Sequence, residues 1–410
     1  MELLGHRNDG PVSRIGFRQS GFSNVSYKET KIGLAILFCW RYKDKMIHAS
    51  IFKRLIILLI LLIVSAVFLP GCEKKPDSVM TPPCVHLTVA GDTALLMKAL
   101  RKANVSKQDY VDMLSSMIPK KDLFAINLEA PITDHDQLRY PDKKYNYKQE
   151  KEVLSFYKAL GVTHCCMANN HVLDYDVKGM NDTLAQLDKH GLPFFGAGKT
   201  LKKTRKGTIV EVEGVKIGFT AFMIPYWIYE EDENYFVHDD SPGVLEMTGS
   251  NVRKSLSYLK DRADVVVVFA HWGENYEDVK KEQREWSHRL VEEGADLVIG
   301  HNPHIPQTIE YYKGVPVFYS VGNFLFSTLG RFKEKVDREL HYGWVLDVQL
   351  NGAEIQTIDI FPLYVDNLKI DFLPRQITKR RTQAHFDYIV KDRPKGFTIH
   401  EKYARWTLSQ

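Results

Sequence analysis

The residues best suited to chemistry lie in one short stretch, Asp-Leu-Val-Ile-Gly-His-Asn-Pro-His at 296–304. An apolar run that ends abruptly at Gly300 is typical of a buried parallel strand, and in open α/β sheets functional side chains gather at the carboxyl ends of such strands. His301 and His304 stand where a metal ion could be bound. Taken alone, the stretch fits a second interpretation equally well, in which one histidine caps a turn and the other packs against a neighbouring tyrosine.

Four other apolar, strand-like runs also end in side chains of the kinds that bind metals. They are Val85–Ala90 before Gly91-Asp92, Leu123–Leu128 before Glu129, Val162–Met167 before Ala168-Asn-Asn-His171, and Asp264–Ala270 before His271. Asp and Asn are common after strands, so any one of these endings is ordinary. Five together indicate one shared site at a sheet edge. A set of carboxylate, imidazole and amide oxygen ligands suits Zn, Mn or Fe.

These strands alternate with helix-like segments, which predicts βα units and a largely parallel sheet. Apolar residues three or four apart indicate the helices, which are Ser106–Met117, Glu150–Leu160, Val177–His190, Asn251–Ala263 and Val279–Glu293. Turn residues at Glu213-Gly214, Lys313-Gly314 and Asn351-Gly352 predict hairpins. Antiparallel hairpins on a parallel core indicate a mixed sheet, or two sheets packed together.

Two long segments interrupt this alternation. Ile132–Gln149 is polar and rich in tyrosine, and Met223–Gly249 carries aromatic residues beside the acidic cluster Glu230–Glu233. Loops of this length are either functional lids or disordered segments. The aromatic residues favour an ordered lid for the second loop, and its acidic cluster leaves a solvated loop as the alternative.

Composition bounds the class of protein. A chain of 410 residues is long enough for one large domain with extensions, or for two to three domains. With 55 Lys and Arg against 51 Asp and Glu, the net charge of +4 gives no general affinity for polyanions, and we expect no nucleic-acid partner. The five cysteines form no CxxC pair, and Cys165 and Cys166 are expected in the core.

The amino-terminal part predicts export. Lys53-Arg54 precede an apolar run from Leu55 to Leu69, which is shorter than a spanning helix and is followed by Pro70-Gly71-Cys72. Residues 46–72 are therefore a lipoprotein-type signal peptide or a membrane anchor, because Leu-Pro-Gly-Cys resembles a bacterial lipobox with Cys72 as the lipidated residue. Residues 1–45 are an upstream mis-start or unassigned leader, and residues 73–84 a linker. We expect a lipid-anchored protein on the extracytoplasmic face of the cell membrane.

Six motifs together resemble the CapA (PGA_cap) family of bacterial capsule synthesis proteins. They are Gly91-Asp92, Asn127-Leu-Glu-Ala-Pro131, Ala168-Asn-Asn-His-Val-Leu-Asp174, His271-Trp-Gly-Glu274, Gly300-His-Asn-Pro-His304 and Tyr319-Ser-Val-Gly-Asn-Phe324. The resemblance covers residues 85–363 and leaves 364–410 as a carboxy-terminal extension. It implies an α/β fold, a metallophosphoesterase-like four-layer α/β/β/α sandwich with two mixed sheets. It also implies a role in poly-γ-glutamate or capsule polymer synthesis or export, with an anionic polymer such as poly-γ-glutamate, the membrane and other capsule synthesis proteins as partners.

The resemblance further implies a site for one or two divalent ions, Mn, Zn or Fe. Its ligands would be Asp92, Glu129, Asn170, His271, His301 and His304, and His171 would act as a general acid or as a donor to the transition-state oxyanion. Two positions depart from the pattern. Ala94 replaces the histidine of the first Asp-x-His motif, and Asn302 stands where many members have a histidine, so either His301 or the Asn302 amide oxygen fills that place.

Two further residues have alternative roles. Asp174 is placed either to orient the His171 ring or to cap the next helix, and Arg338 either holds a carboxylate or phosphate group or is solvated. Three hypotheses of function follow: a metal-dependent hydrolase or transferase acting on the polymer, a catalytically silent binding or assembly subunit of a capsule export complex, and an ordinary metallophosphodiesterase.

Overall fold

The computed structural model describes residues 84–97, 101, 104–119, 121–226, 232, 234–327, 340–370 and 372–408, all within the unit Thr81–Gln410. The predicted leader (1–45), the signal or anchor with Cys72 (46–72), the linker up to residue 83 and Arg338 lie outside the described residues. Among the residues that are described, no helix is both long and apolar enough to cross a membrane.

The strands, in chain order, are β1 Cys84–Ala94, β2 Leu123–Leu128, β3 His164–Cys166, β4 Phe194–Phe195, β5 Ala197–Gly198, β6 Thr208–Val212, β7 Val215–Met223, β8 Gly243–Val244, β9 Val265–His271, β10 Leu297–His301, β11 Ile309–Tyr312, β12 Val315–Phe318, β13 Asn323–Phe326, β14 Tyr342–Asn351, β15 Glu354–Tyr364, β16 Arg375–Gln376, β17 Phe397–Ile399 and β18 Ala404–Thr407.

The helices are α1 Lys107–Ser115, α2 Val153–Leu160, α3 Asp176–Lys189, α4 Leu201–Thr204, α5 Gly249–Lys260, α6 Lys281–Glu292, α7 Asn367–Ile370 and α8 Lys379–Ile389. Local chemistry sets several of their ends. The Ser106 side chain accepts a hydrogen bond from the Asp109 amide at the start of α1, and Thr248 does the same for Asn251 in α5. Gly161 ends α2 in the left-handed conformation, with φ of 86°.

Two mixed sheets form the framework. The first has the order β17-β18-β15-β14-β1-β2-β3-β4, with β13 beside β1 and β16 beside β15, and the second has the order β11-β12-β10-β9-β7-β6. Strands β1 to β4 are parallel to one another, as are β7, β9, β10 and β12, whereas β14, β15, β6 and β11 join as antiparallel neighbours. The predicted α/β class with two mixed sheets is confirmed.

Strand β9 shows how the layers pack. Val265, Val267 and Phe269 belong to the large core that also includes the first sheet, whereas Val266 and Val268 belong to a second core with α5 and α6. Across the interface between the sheets, the Phe269 ring lies 5.2 Å from that of Phe195 in β4. A strand buried on both faces reads as a continuous apolar run, which is why this segment is so apolar in the sequence.

The carboxy-terminal residues, for which the sequence predicts no role, extend the first sheet. Strand β18 pairs with β15, placing Arg405 opposite Asp359, and β17 pairs with β18. Trp406 is buried and its ring lies 6.1 Å from that of Phe318 in the second sheet. These residues therefore contribute to the interface between the two sheets.

Candidate metal centre

The centre begins with an irregularity in β1. The pairing of β1 with β2 shifts between Ala90 and Asp92, and its pairing with β13 shifts again after Asp92. Such a bulge redirects a side chain at the end of a strand. The backbones are also very close here, because a Cβ on Gly91 would lie 1.8 Å from the Gly322 carbonyl oxygen. Only glycine fits at position 91.

Asp92, Glu129 and His304 form a compact buried group whose ligand atoms all lie within 4.8 Å of one another. Glu129 directly follows β2, and His304 lies in the loop after β10. His304 Nδ1 approaches Asp92 Oδ2 to 3.0 Å, although its hydrogen bond is made with Asn323 Oδ1 at 2.9 Å, and His304 Nε2 lies 3.9 Å from Glu129 Oε1. The two sheets thus bring residues far apart in sequence to one edge.

The other predicted ligands adjoin this group. His271 and His301 end β9 and β10 and are register partners in the second sheet. His301 Nδ1 lies 3.2 Å from Asp92 Oδ1, and His271 Nε2 lies 3.2 Å from Asn170 Oδ1. All six predicted ligands are therefore brought to one region of the molecule.

Several polar atoms of the centre are buried without a hydrogen-bond partner among the residues that the structure describes. They are Asp92 Oδ2, Glu129 Oε1, His271 Nδ1 and His301 Nε2. An unsatisfied buried carboxylate oxygen is costly, and protein interiors seldom retain one without a reason. Carboxylate oxygens and imidazole nitrogens are the atoms that divalent transition ions bind. The donor set therefore fits a metal ion.

The pKa values of the two carboxyl groups, Asp92 and Glu129, are shifted in opposite directions. Burial would raise the pKa of Asp92, but the contacts with His301 and His304 outweigh it and hold this pKa well below its usual range. Burial, followed by the charge of Asp92, raises the pKa of Glu129 well above its usual range. Burial also lowers the pKa of His271 well below its usual value. A cation bound in the centre would lower the pKa of Glu129 again and favour its charged carboxylate form.

The loop after β10 has a strained backbone. Asn302 and His304 adopt positive φ angles of 92° and 60°, which are unfavourable for residues with a side chain and often mark functional sites. The side-chain Nδ2 of Asn302 donates to the carbonyl oxygens of Trp272, at 3.3 Å, and Gly273, at 2.9 Å. Of the two alternatives for this position, His301 is the residue that contacts Asp92.

His171 and Asp174 form a hydrogen-bonded pair beside the predicted ligands. His171 Nδ1 lies 2.6 Å from Asp174 Oδ2, and both side chains are buried. Burial lowers the pKa of His171 to about 4, against the opposing effect of Asp174. Helix α3 begins at Asp176, with Tyr175 at the cap position, so Asp174 contacts the imidazole rather than capping the helix.

The sequence did not identify three side chains of this region. Asn127 donates to Asp92 Oδ1 at 2.8 Å and to Glu129 Oε2 at 3.2 Å, and Asn323 contacts His304. Lys143 contacts His171 and Asp174 from the loop at 132–149. A polar residue inside the apolar strand β2 was the available signal for Asn127, and both asparagines lie within the motifs of the resemblance.

The space beside Ala94 is closed by apolar groups. Ala94 packs with Ala130 and Phe326, and Tyr147 covers this small cluster. The Phe326 ring lies 4.8 Å from that of His304, and the Tyr147 ring lies 4.4 Å from that of His171. Aromatic rings thus fill the side of the centre at which the first-motif histidine is absent.

A cavity of about 610 Å³ opens next to the centre. Its lining includes Asn170, Asn302 and Lys143 together with Tyr226 and Glu274. This volume is in the range of sites for small molecules. Of the six predicted ligands, Asn170 lines this cavity, so the cavity adjoins the centre on the side of that residue.

Comparison with known proteins agrees with these motifs. The family model described as bacterial capsule synthesis protein PGA_cap matches residues 86–328. The chain is 31% identical to the PGA biosynthesis protein CapA of Bacillus subtilis over 283 residues, 68% of this chain and 72% of that protein. It is 29% identical to the capsule biosynthesis protein CapA of Bacillus anthracis over 321 residues, 76% of this chain and 74% of that protein.

Among solved structures, the crystal structure of a phosphatase from Mycoplasma pneumoniae has a TM-score of 0.36 and 15% identity, over 70% of this chain and 90% of that chain. The family match covers more than half of the chain, including all six predicted ligands. The chain belongs to the bacterial capsule synthesis protein PGA_cap family.

Proposed function

We propose that this protein is a metal-dependent hydrolase or transferase that acts on poly-γ-glutamate or another anionic capsule polymer during its synthesis or export. Family membership supports the link to the capsule, since two relatives are named for PGA or capsule biosynthesis. One observation supports the chemistry most strongly. Two carboxylates, Asp92 and Glu129, are buried beside His304, and each keeps an oxygen without a hydrogen bond in the described part of the chain.

The residues that would hold a metal fall into two adjoining groups. Asp92, Glu129 and His304 form the first, and the second consists of Asn170, His271 and His301, of which His301 also contacts Asp92. A bound Mn, Zn or Fe ion supplies a Lewis acid, which polarises a phosphoryl or acyl oxygen and makes a water molecule more acidic. Asn127 holds the Asp92 and Glu129 carboxylates together through its amide nitrogen.

His171 is suited to move a proton. With a pKa of about 4 its ring is neutral at pH 7, and its Nδ1–H donates to Asp174 Oδ2. The lone pair therefore resides on Nε2, which can accept a proton from an attacking group. The imidazolium formed in this way can return that proton to the leaving group, which is one of the two roles that the family resemblance implies for His171.

We further propose that the protein is exported and attached to the extracytoplasmic face of the cell membrane through a lipid on Cys72. The apolar run before the lipobox-like Leu69–Cys72 motif supports this attachment. Replacing Cys72 with Ser should then remove incorporation of labelled fatty acid into the expressed chain. Unchanged incorporation would contradict the proposal.

The activity is tested by measuring metal content and turnover of the purified chain, with γ-glutamyl polymer and an aryl phosphate ester as substrates. We expect a bound transition ion, polymer turnover and loss of both metal and turnover in His271→Ala. Turnover of the aryl ester alone would indicate an ordinary metallophosphodiesterase. An absence of bound metal, with no effect of His271→Ala, would contradict an enzymatic role.

A silent binding or assembly subunit is the second candidate, and the surroundings of Ala94 favour it. The first-motif histidine is absent, and Phe326 and Tyr147 close that side of the centre. This alternative predicts binding of γ-glutamyl polymer without turnover, whether or not metal is added. Isothermal titration with the polymer, run beside the turnover assay, separates the two candidates.

A further inference from the structure

A lysine from a long loop enters the centre at a point that the proposed chemistry leaves unexplained. The Lys143 ammonium donates to the Asn170 carbonyl oxygen at 2.6 Å and to Asp174 Oδ1 at 2.5 Å. It also lies 3.3 Å from His171 Nδ1. The Lys143 side chain is only 11% exposed, whereas most lysines extend into solvent.

The loop that carries Lys143 is anchored at several points. Ile132 and Gln149 at its two ends form a bridge, and the buried Gln149 side chain donates to the Ala130 carbonyl oxygen and accepts from the Leu95 amide. Near its middle, Arg139 forms ion pairs with Asp176 at 2.6 Å and Asp232 at 2.7 Å. The Lys143 ammonium is therefore presented by a loop with a defined path.

Asp174 is fully engaged between this loop and the imidazole. Its Oδ1 accepts from Lys143, and its Oδ2 accepts from His171 Nδ1 and from the Tyr147 amide at 2.7 Å. A carboxylate held by three donors cannot rotate freely, and it fixes which ring nitrogen of the histidine carries the proton. Through the Asn170 carbonyl, the same ammonium also holds the peptide that joins Asn170 to His171.

We propose that Lys143 is a positioning residue, which acts through Asp174 and the Asn170 backbone to hold His171 in its Nδ1–H tautomer and Asn170 in place beside His271. The ammonium donates one charge-assisted hydrogen bond to the Asp174 carboxylate and one to the Asn170 carbonyl oxygen. No neutral side chain reproduces this pair of hydrogen bonds. Lys143 also lines the cavity next to Asn170, so one side chain adjoins both the cavity and the His171–Asp174 pair. This inference rests on the proposed function of the centre.

The test uses the full chain without metal, labelled with ¹⁵N-histidine, and compares Lys143→Met with Lys144→Met. Lys144 is the next residue of the same loop, is exposed and lies over the ring of Tyr145, which makes it a matched control. Long-range ¹H–¹⁵N spectra, assigned with a His171→Gln variant, report the tautomer. We expect one His171 tautomer in the wild type and in Lys144→Met, and a mixture in Lys143→Met.

Affinity for Mn²⁺ provides the second measurement. We expect Lys143→Met to weaken binding by about 10-fold to 100-fold, as is common for residues that orient ligands, and Lys143→Arg to restore both affinity and tautomer. If Lys143→Met does not fold, Lys143→Gln, which retains an N–H donor for the Asn170 carbonyl, replaces it. A folded variant with the tautomer and affinity of Lys144→Met would overturn the proposal.

Failure of both neutral variants to fold would also overturn it, because Lys143 would then be needed for folding rather than for positioning. The tautomer measurement involves neither metal nor substrate. A wild-type chain that lacks turnover but shows the single tautomer would therefore contradict the proposed enzyme and leave the role of Lys143 intact.

Discussion

Two pairs of buried carboxylates in this molecule have opposite surroundings. Asp92 and Glu129 in the centre are 0% exposed, and Asp347 and Asp359, on β14 and β15, are each 4% exposed. In the second pair every carboxylate oxygen has a donor: Asp347 contacts His86 and Gln349 at 3.0 Å, and Asp359 is held by the Arg405 guanidinium at 2.6 Å through two bonds.

In the first pair, Asp92 Oδ2 has only the His304 Nδ1 at 3.0 Å, whose hydrogen bond is made with Asn323, and Glu129 Oε1 has no hydrogen bond among the described residues. Buried charge is retained in proteins when it is paired or when it binds a metal. The carboxylates on β14 and β15 are paired within the protein, whereas Asp92 and Glu129, together with His304, form a donor set compatible with a metal ion. The two pairs therefore differ in their unsatisfied oxygens rather than in burial.

The first prediction concerns the Asp92 carboxylate, whose replacement should change metal affinity the most. Asp92→Asn removes a charge from the centre and should weaken Mn²⁺ binding more than about 1,000-fold, since even residues that only orient ligands contribute 10-fold to 100-fold. The matched variant Asp347→Asn should bind Mn²⁺ as the wild type does. Titration calorimetry of both variants measures the difference. Equal affinities would show that the two pairs do not differ in the way described.

A second prediction concerns His164, a buried histidine with an unsatisfied nitrogen whose pKa is shifted by burial alone. His164 Nε2 has no partner among the described residues, and burial lowers the pKa of His164 to about 4. Because this pKa is below the unfolded value near 6.5, the stabilising effect of a neutral ring is fully present above pH 6.5 and is lost as the pH falls towards 4.

The loss should approach about 3 kcal/mol of unfolding free energy by pH 4. Denaturant unfolding at pH 7 and pH 4 measures how far the unfolding free energy falls between the two pH values. This fall should be smaller in His164→Leu than in the wild type by about 3 kcal/mol. The variant should bind Mn²⁺ normally, because one unsatisfied nitrogen without a carboxylate is not a site. An equal drop in both proteins would mean that His164 is not buried as described.

A third prediction uses the metal as a stabilising ligand. At a Mn²⁺ concentration 100 times the Kd, binding to the folded state alone raises the unfolding free energy by about 2.7 kcal/mol. The rise should disappear with a chelator and be absent in Glu129→Ala, but should persist in Asp347→Asn. Thermal unfolding with and without Mn²⁺ measures it, and a rise that survives in Glu129→Ala would indicate binding elsewhere.

The smallest effect tests the pair on β14 and β15. Asp359→Asn should lower the unfolding free energy by about 1 to 2 kcal/mol, because Arg405 loses one of its two acceptor oxygens and the opposite charge but is partly exposed to water. Mn²⁺ affinity should stay at the wild-type value. Denaturant unfolding together with calorimetry checks both quantities, and a loss of metal affinity in Asp359→Asn would contradict the separation of the two regions.

Much of the framework could be predicted from the sequence because local signals determine it. Strand β2 occupies the predicted residues Leu123–Leu128, and the hairpins turn at Gly214 and Gly314 as expected. The predicted helix at 251–263 is displaced to Gly249–Lys260, since Thr248 provides the cap and apolar Ala263 packs after the helix has ended. Local patterns indicated the element and not its exact ends.

The site residues at strand ends could be found for the same reason, whereas Lys143 could not. Its position depends on the path of an irregular loop, which is held by Arg139 contacts to Asp176 and Asp232, and no local pattern encodes those contacts. The strands near the carboxy terminus, β17 and β18, are three and four residues long and pair over long sequence separations. Such short strands carry almost no periodic signal.

The most direct test of the account is anomalous X-ray diffraction from crystals grown with Mn²⁺. We predict a strong anomalous peak within about 2.0 to 2.3 Å of carboxylate oxygens of Asp92 and Glu129 and a ring nitrogen of His304. A fully occupied ion elsewhere, or no peak at this position at Mn²⁺ concentrations that saturate binding in solution, would contradict the claim that these side chains form a metal centre.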